Sequence, residues 1–270
     1  MSEIITSLQN PKIKQILRLQ EKASERKKQK LTLVEGKIEI GMAISASVAI
    51  ESVFYLQSKE KEVKSFFTEQ LPKYTQTNFW AVSENVFTKI AYRENSFGAI
   101  CVVQTPENTL QSLILSENAL VLVLENVEKP GNLGAILRTA DAAGIEAVFL
   151  CNPQTDLFNP NVIRASLGCI FTQKVIACTN QEAFDFLQKR NFQLLATALT
   201  ASVPYTKMDY RKATAIIMGT EATGLTNFWL EKSHQNIIIP MRGKIDSMNV
   251  SVSAAIVVFE AVRQRESGLG

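Results

Sequence analysis

Three short segments in the second half of the chain hold residues whose types and spacing could do chemistry. In the first, 128–144, Arg138 lies four residues after Gly134, about one helical turn. A guanidinium is a permanent cation with five hydrogen-bond donors, so it can bind a phosphate or stabilise a developing oxyanion. A glycine at the start of the helix lets a ligand or the backbone approach closely. Taken alone, the segment could equally be a capped helix with a surface arginine.

A second segment, 216–225, carries Glu221 and two glycines, Gly219 and Gly224, in a loop that follows an apolar run. Ligands of open α/β sheets bind beyond the carboxyl ends of the strands, where such a loop would lie. The pattern therefore indicates a site for a small polar ligand. An ordinary surface turn, which uses the same residue types, is the alternative.

The third segment, 237–256, contains an apolar strand that ends at Pro240 and a loop that includes Arg242. Ser247 and Asn249 then stand at the start of a long helix. Either residue could cap that helix through its side-chain oxygen. Alternatively, two short polar side chains at the mouth of a helix could orient a substrate hydroxyl.

The hydrophobic pattern predicts the elements that must position these segments. The run 119–126 is almost continuously apolar, as is typical of strands buried on both faces of a parallel sheet. Strands and helices then alternate, which predicts an open α/β sheet with helices on both faces. The further predicted strands are 146–151, 173–178, 192–199, 213–219 and 235–240. The predicted helices are 131–144, 160–168, 181–189, 225–232 and 249–265.

The first part of the chain also alternates between strands and helices and predicts a smaller α/β domain. Its predicted strands are 31–36, 52–56 and 98–104, and its predicted helices are 37–44 and 83–91. A proline and several asparagine and threonine residues interrupt the pattern over 105–118, which favours a linker. We therefore expect a domain over 1–105, a linker over 106–118 and a second domain over 119–270.

The stretch 10–30 is strongly basic, with eight lysines and arginines against two glutamates. Ile13, Ile16 and Leu17 recur at helical spacing, so we predict one helix with an apolar stripe and a basic outer face. Such a face could bind the phosphates of a nucleic acid through the release of counterions. Solvated surface lysines are the alternative.

The composition disfavours several classes of protein. The four cysteines form no CxxC pair, and the chain has one histidine, His234, so a metal site is not expected. One histidine also disfavours serine-hydrolase chemistry. No GxGxxG loop follows a predicted strand, which disfavours a nucleotide-binding oxidoreductase. The chain does not start like a secretory signal and has no apolar run long enough to span a membrane, so we expect a cytoplasmic protein.

Taken together and in this order, the three segments resemble those of the SpoU family of RNA ribose methyltransferases, which belongs to the SPOUT class. The resemblance covers about 115–265. The first 105 residues resemble the substrate-binding domain of the family, which is similar to ribosomal protein L30e. The start SLQNPKIK and the turn LVEG resemble the subgroup near thiostrepton-resistance and ribosomal RNA methyltransferases.

This resemblance implies a C-terminal SPOUT α/β domain with a deep trefoil knot, beside a smaller N-terminal L30e-like α/β domain. The knotted loops would bind the cofactor S-adenosylmethionine, and no metal is implied. The resemblance also implies a homodimer formed through the knotted domain, with each active site near the partner subunit. The apolar final helix could contribute to that contact, or its apolar positions could all belong to the core.

Position by position, the resemblance implies roles for individual residues. Its catalytic positions fall on Asn132, Arg138, Glu221, Ser247 and Asn249. Its cofactor-binding positions fall on Gly219, Thr220, Gly224, Ile239, Met241 and Met248. Met248 stands where the family usually has leucine, a change that keeps the side-chain volume and should be neutral. We expect Arg138 to stabilise the developing alkoxide rather than to remove the proton, since a guanidinium rarely deprotonates.

The implied activity is transfer of a methyl group from S-adenosylmethionine to a ribose 2′-hydroxyl of RNA. Ribosomal RNA is the expected substrate because of the N-terminal subgroup resemblance, and transfer RNA is the alternative. A protein that binds RNA without methylating it is a further alternative. The five intact polar positions disfavour it.

Overall fold

The computed structural model describes residues 4–70, 77–92, 97–200, 202–220 and 223–267. It divides into two compact units. The first contains Met1–Glu107 together with Asp156–Thr172, and the second contains Asn108–Thr155 together with Gln173–Gly270. The expected second domain included Asp156–Thr172, whereas the structure groups this segment with the first unit. The expected boundaries of the two domains stay predictions.

The chain up to Gln104 forms a four-stranded sheet and helices. In chain order these elements are α1 (Pro11–Glu21), α2 (Ala23–Gln29), β1 (Leu31–Glu35), α3 (Lys37–Ser45), β2 (Ile50–Leu56), α4 (Glu60–Gln70), β3 (Asn78–Val82), α5 (Glu84–Ile90) and β4 (Ala99–Gln104). The strand order is β1-β4-β2-β3, with β4 antiparallel to both neighbours and β3 parallel to β2. Of the six elements predicted in this part, the three strands and the helices 37–44 and 83–91 are confirmed. Helix α4 and strand β3 were not predicted.

Helix α1 covers one face of this sheet because its sequence places apolar residues at helical spacing. Asn10 caps the helix by accepting a hydrogen bond from the backbone N–H of Lys12, and Pro11 occupies the first turn. Ile13, Ile16 and Leu19 are fully buried in a core that also contains residues of α5 and the sheet.

The prediction of one helix over 10–30 is wrong, because the backbone is extended at Lys22 and separates α1 from α2. Arg26, on α2, is buried and donates hydrogen bonds to the carbonyls of Leu19 (2.5 Å) and Gln20 (3.2 Å) at the end of α1. Its guanidinium also forms an ion pair with Asp156 (2.6 Å). A cation at the carboxyl end of a helix is favourable, so Arg26 holds α2 against the last turn of α1.

The rest of the chain forms a second sheet with its helices. In chain order these elements are β5 (Leu120–Glu125), α6 (Pro130–Ala142), β6 (Ala147–Cys151), α7 (Pro160–Ala165), α8 (Cys169–Thr172), β7 (Val175–Cys178), α9 (Asn180–Gln188), β8 (Gln193–Thr197), β9 (Val203–Pro204), β10 (Thr214–Met218), α10 (Asn227–Lys232), β11 (Gln235–Ile238) and α11 (Val250–Glu266). The predicted elements of this part are confirmed. The short elements α8 and β9 were not predicted.

The second unit is built on a seven-stranded parallel sheet with the order β7-β6-β5-β10-β8-β11-β9. Val121 and Val123 pack with α9 and α10 in a core on one face, while the alternating Leu122 and Leu124 are fully buried on the other. The predicted parallel sheet is therefore confirmed. Because the strands are parallel, the loops after β8, β10 and β11 leave the same edge of the sheet. The trefoil knot stays a prediction.

Candidate active site

A cavity of about 480 Å³ lies at this edge of the second unit. Its walls come from the segments that follow β8, β10 and β11 and from the first turns of α11. Most of the lining side chains are apolar or carry a hydroxyl. The lining residues are Thr197–Thr200, Met218–Thr220, Thr223–Leu225, Leu230, Ile237–Ile239, Met241, Asp246–Met248, Val250, Ser253 and Val257.

All of the residues predicted to bind the cofactor line this cavity. They are Gly219, Thr220, Gly224, Ile239, Met241 and Met248. The sequence separates them by up to 29 positions, and the structure brings them together because β10 and β11 end at the same edge. Their contact with a cofactor stays a prediction.

The loop after β10 is closed by its own backbone. Thr220 and Gly224 exchange two backbone hydrogen bonds, of 3.2 and 3.0 Å, and Gly224 has a positive φ of 67°. A Cβ atom at Gly219 would lie 2.3 Å from the backbone carbonyl atoms of Gly224. Backbone atoms cannot give way as a flexible side chain can, so this loop requires glycine at 219.

Glu125 holds the far end of the same loop. Its buried carboxylate accepts hydrogen bonds from the backbone N–H (2.8 Å) and the hydroxyl (2.7 Å) of Thr226. The side-chain amide of Asn180 also donates to Glu125, and the indole N–H of Trp229 donates to Asn180 (3.1 Å). Thr226 caps α10 and Asn180 begins α9, so the carboxylate lies at the positive ends of two helix dipoles. Glu125 therefore ties the cavity loop to β5, the strand that leads into α6.

Asn249 links the cavity segment to α6. Its Oδ1 accepts a hydrogen bond from the backbone N–H of Ser251 (3.0 Å). Asn249 therefore caps α11, which was one of the two interpretations of this segment. Its Nδ2 donates to Oδ1 of Asn132 (3.1 Å), which joins the first and third predicted segments. Asn249 thus combines a cap with a contact between segments, and its neighbours Met248 and Val250 both line the cavity.

The remaining predicted catalytic residues lie in different surroundings. Ser247 lines the cavity, and its hydroxyl donates to Oδ1 of Asp246 (3.0 Å). Arg138 is exposed on α6 and is not among the residues that line the cavity. Glu221 lies outside the described residues. The structure therefore brings Ser247 into the cavity wall and joins Asn249 to Asn132, but it does not bring Arg138 into the cavity of its own chain.

Sequence reasoning missed part of the cavity wall. Thr197 ends β8 and Leu199 and Thr200 follow it, and no motif marks these residues. The available signal was the predicted strand 192–199, because its carboxyl end must share the edge of a parallel sheet with the other ligand loops. Asp246 was also missed, although it stands directly before Ser247.

The four cysteines and the histidine are not among the described residues that line the cavity. Cys101, Cys151 and Cys169 are buried and are not in disulfides, and burial raises the pKa of Cys101 well above its usual range. Nδ1 of His234 accepts a hydrogen bond from the backbone N–H of Leu194 (3.0 Å). Among the described residues, no group of three or more histidine, cysteine or acidic side chains could hold a metal ion. None of the helices formed by the described residues is long and apolar enough to cross a membrane.

Comparison with known proteins decides the family. The model of the SpoU rRNA methylase family matches residues 119–259. The chain belongs to this family. The model of an MRM3-like substrate-binding domain matches residues 10–101, which agrees with the resemblance found for the first part of the chain.

Relatives of this SpoU family member match nearly its full length. The 23S rRNA (guanosine(2553)-2′-O)-methyltransferase RlmP of Bacillus subtilis (strain 168) is 30% identical over 255 residues, which cover 94% of this chain and 97% of the relative. A crystal structure of an RNA 2′-O ribose methyltransferase is 39% identical with a TM-score of 0.83 and covers 98% of this chain and 100% of that chain. An rRNA methyltransferase from Sinorhizobium meliloti with bound AdoMet (S-adenosylmethionine) is 28% identical with a TM-score of 0.86 and covers 97% and 98%. The SpoU-type α/β fold is thereby confirmed.

Proposed function

We propose that this SpoU family member transfers the methyl group of S-adenosylmethionine to a ribose 2′-hydroxyl of ribosomal RNA. The observation that carries the proposal is the cavity, whose walls contain every residue predicted to bind the cofactor. RlmP of Bacillus subtilis is named for this reaction, and the Sinorhizobium meliloti structure holds the cofactor, so both support the proposal. We place the reaction in the cytoplasm.

The cavity suits the cofactor in size and chemistry. Its volume of about 480 Å³ lies within the usual range of small-molecule sites, roughly 300–1,000 Å³. Leu225, Ile239 and Met248 offer apolar surface for an adenosine, and the hydroxyls of Thr220 and Ser247 offer hydrogen bonds. When bound, S-adenosylmethionine would supply an electrophilic methyl group on a sulfonium.

The chain's own residues would align and stabilise the attack on that methyl group. Arg138 would stabilise the alkoxide that develops on the 2′-oxygen and would hold an adjacent phosphate. Asn249, which Asn132 holds by a hydrogen bond, would orient the ribose together with Ser247. Glu221 would support the cavity loop. This division leaves cofactor binding to the cavity and the chemistry of the ribose to α6 and the start of α11.

A second copy of the chain would complete this site. Arg138 is exposed on α6, which packs against α11. Helix α11 has one buried face, with Ala254, Val257 and Ala261, and exposes Val252 and Phe259 by 48% and 47%. These two residues are seven positions apart and therefore lie on the same face of the helix. The homodimer that we propose uses this exposed face and brings Arg138 to the cavity of the partner subunit.

The first unit would bind the RNA through the basic face of α1 and α2. Of the eight basic residues in 10–30, only Arg26 is buried, whereas the other seven side chains are exposed. Lys30 forms an exposed ion pair with Glu107 (2.6 Å), and the ammonium of Lys12 lies 4.4 Å from the ring centre of Trp80. Exposed cations along two consecutive helices suit the phosphates of RNA.

Methyl transfer to defined RNAs tests the proposal. The purified protein would be incubated with methyl-labelled S-adenosylmethionine and with either ribosomal or transfer RNA transcribed in vitro. We expect label in ribosomal RNA, recovered after digestion as a 2′-O-methylated nucleoside. Label in transfer RNA alone would favour the alternative substrate. Cofactor binding without transfer to either RNA would contradict the proposal and favour a non-catalytic RNA-binding protein.

A further inference from the structure

Charged groups are rare among the described residues that line the cavity. Among the described residues that line it, Asp246 is the one ionisable side chain. The other lining residues are aliphatic side chains, methionines, serines, threonines and glycines. The carboxylate of Asp246 places a negative charge at one defined point of this described wall.

Asp246 is available to a ligand. It is exposed, and its carboxylate accepts a hydrogen bond from the hydroxyl of Ser247 (3.0 Å). Arg242 and Lys244 lie in the same loop, but within the part of the chain that the structure describes neither forms an ion pair with Asp246. Its charge is therefore not neutralised by its own loop.

The position of Asp246 in the chain relates it to the reacting end of the site. It begins the segment 246–249, in which Ser247 and Met248 line the cavity and Asn249 donates a hydrogen bond to Asn132 on α6. The same short segment thus contains the carboxylate and the two residues, Ser247 and Asn249, that we propose to orient the ribose. A cofactor group near this segment would be the one that faces the ribose.

We propose that Asp246 binds the cofactor by neutralising the positive charge of its sulfonium. This inference rests on the proposed function, because the ligand is taken to be S-adenosylmethionine. The sulfonium is a cation, whereas the thioether of S-adenosylhomocysteine is neutral. The carboxylate therefore favours the methyl donor over the demethylated product, which helps one molecule to replace the other after each turnover.

Calorimetric titration of three ligands into wild type and Asp246→Asn tests this role. S-adenosylmethionine carries a sulfonium and an amino group, S-adenosylhomocysteine carries the amino group alone, and methylthioadenosine carries neither. We expect the variant to bind S-adenosylmethionine roughly three- to tenfold more weakly, as for a partly exposed charge pair. The other two ligands should change by less than about twofold, and the loss should shrink with added salt.

Two further variants separate this charge effect from other causes. Asp246→Glu keeps the charge and should restore most of the affinity for S-adenosylmethionine. Asp185→Asn removes an exposed carboxylate from α9, outside the cavity, and should leave all three affinities unchanged. Thermal unfolding of each variant would show that the fold is retained.

Three outcomes would overturn the inference. Unchanged affinity of Asp246→Asn for S-adenosylmethionine would remove the role of the charge. An equal loss for all three ligands would indicate a structural role of the side chain. An equal loss for S-adenosylmethionine and S-adenosylhomocysteine, with methylthioadenosine unchanged, would assign the charge to the amino group instead. Failure of the wild-type protein to bind S-adenosylmethionine would instead contradict the proposed function.

Discussion

The cofactor cavity and the exposed face of α6 are two parts of one proposed active site, and they differ in how complete they are within a single chain. The cavity is bounded on several sides by segments after three strands and by α11. Arg138 on α6, by contrast, is exposed, and it has no hydrogen bond or ion pair within the described residues.

This difference separates two functions of the protein. We propose that the walls of a single chain suffice for cofactor binding, so binding should depend on the cavity loops and their lining side chains. In the proposed mechanism, methyl transfer also uses the guanidinium of Arg138, which does not line the cavity of its own chain, so transfer should depend on RNA and on a second copy. Variants of the cavity loop can therefore test cofactor binding, and variants of Arg138 can test methyl transfer.

The largest effect on cofactor binding is expected from Gly219→Val, in the loop after β10. A Cβ atom at this position would lie 2.3 Å from the backbone of Gly224, so the cavity loop must move. We expect cofactor affinity to fall at least about 100-fold, measured by calorimetry. Gly243→Ala is the matched control, because its Cβ would meet no atom within 4 Å and affinity should not change. Normal cofactor binding by Gly219→Val would show that the cavity is not the site.

Arg138→Ala, on α6, should reduce methyl transfer but leave cofactor binding intact. Loss of the group that stabilises a developing alkoxide should reduce methyl transfer about 10²- to 10³-fold. Cofactor affinity should stay within about twofold of wild type, because Arg138 does not line the cavity. Single-turnover transfer and calorimetry on the same preparation would measure both quantities. A fully active variant would remove Arg138 from the reaction.

Glu125→Gln should weaken the hydrogen bonds that tie the cavity loop to β5, the strand that leads into α6. One carboxylate accepts three hydrogen bonds from Thr226 and Asn180, and an amide would place a donor where only acceptors fit. We expect the free energy of unfolding in urea to fall by about 1–3 kcal/mol. Glu231→Gln, exposed on α10, should change it by less than about 0.5 kcal/mol. Equal stability of the two variants would contradict the role of Glu125 in tying the cavity loop to β5.

Charge reversal on the basic face of α1 and α2 should give the smallest effect. It should change neither the cofactor cavity nor the surroundings of Arg138. Changing Lys27, Lys28 and Lys30 to Glu should weaken RNA binding by about tenfold at low salt and reduce its salt dependence. Cofactor affinity should be unchanged. Reversal of the exposed Lys189, Lys207 and Lys212 in the second unit is the control for net charge. If both triple variants bound RNA equally well, α1 and α2 would be a solvated surface.

The sequence predicted the cavity half better than the rest. Apolar runs mark the buried strands, and parallel strands place their following loops at one edge, so Gly219, Ile239 and Met248 could be grouped before the structure. The motif positions added Ser247, Asn249 and Asn132. By contrast, Asp246 has no motif of its own, and its isolation as a charge follows only from the assembled wall.

The wrong prediction of one helix over 10–30 has a physical cause, which is contact between residues far apart in sequence. The break at Lys22 belongs with the burial of Arg26, whose partner Asp156 is 130 positions away. Helix α4 was missed because its sequence, EKEVKSFFTEQ, is mostly polar and holds few apolar residues to reveal its period.

Mixing two inactive variants tests the central claim most directly. Arg138→Ala keeps an intact cavity, and Gly219→Val keeps an intact Arg138, so a mixed dimer would contain one complete site. After subunit exchange, which sedimentation of the mixture would verify, we predict recovery of about a quarter of wild-type methyl transfer. A mixture that stays as inactive as its components would contradict a site built from the cavity of one chain and the guanidinium of another.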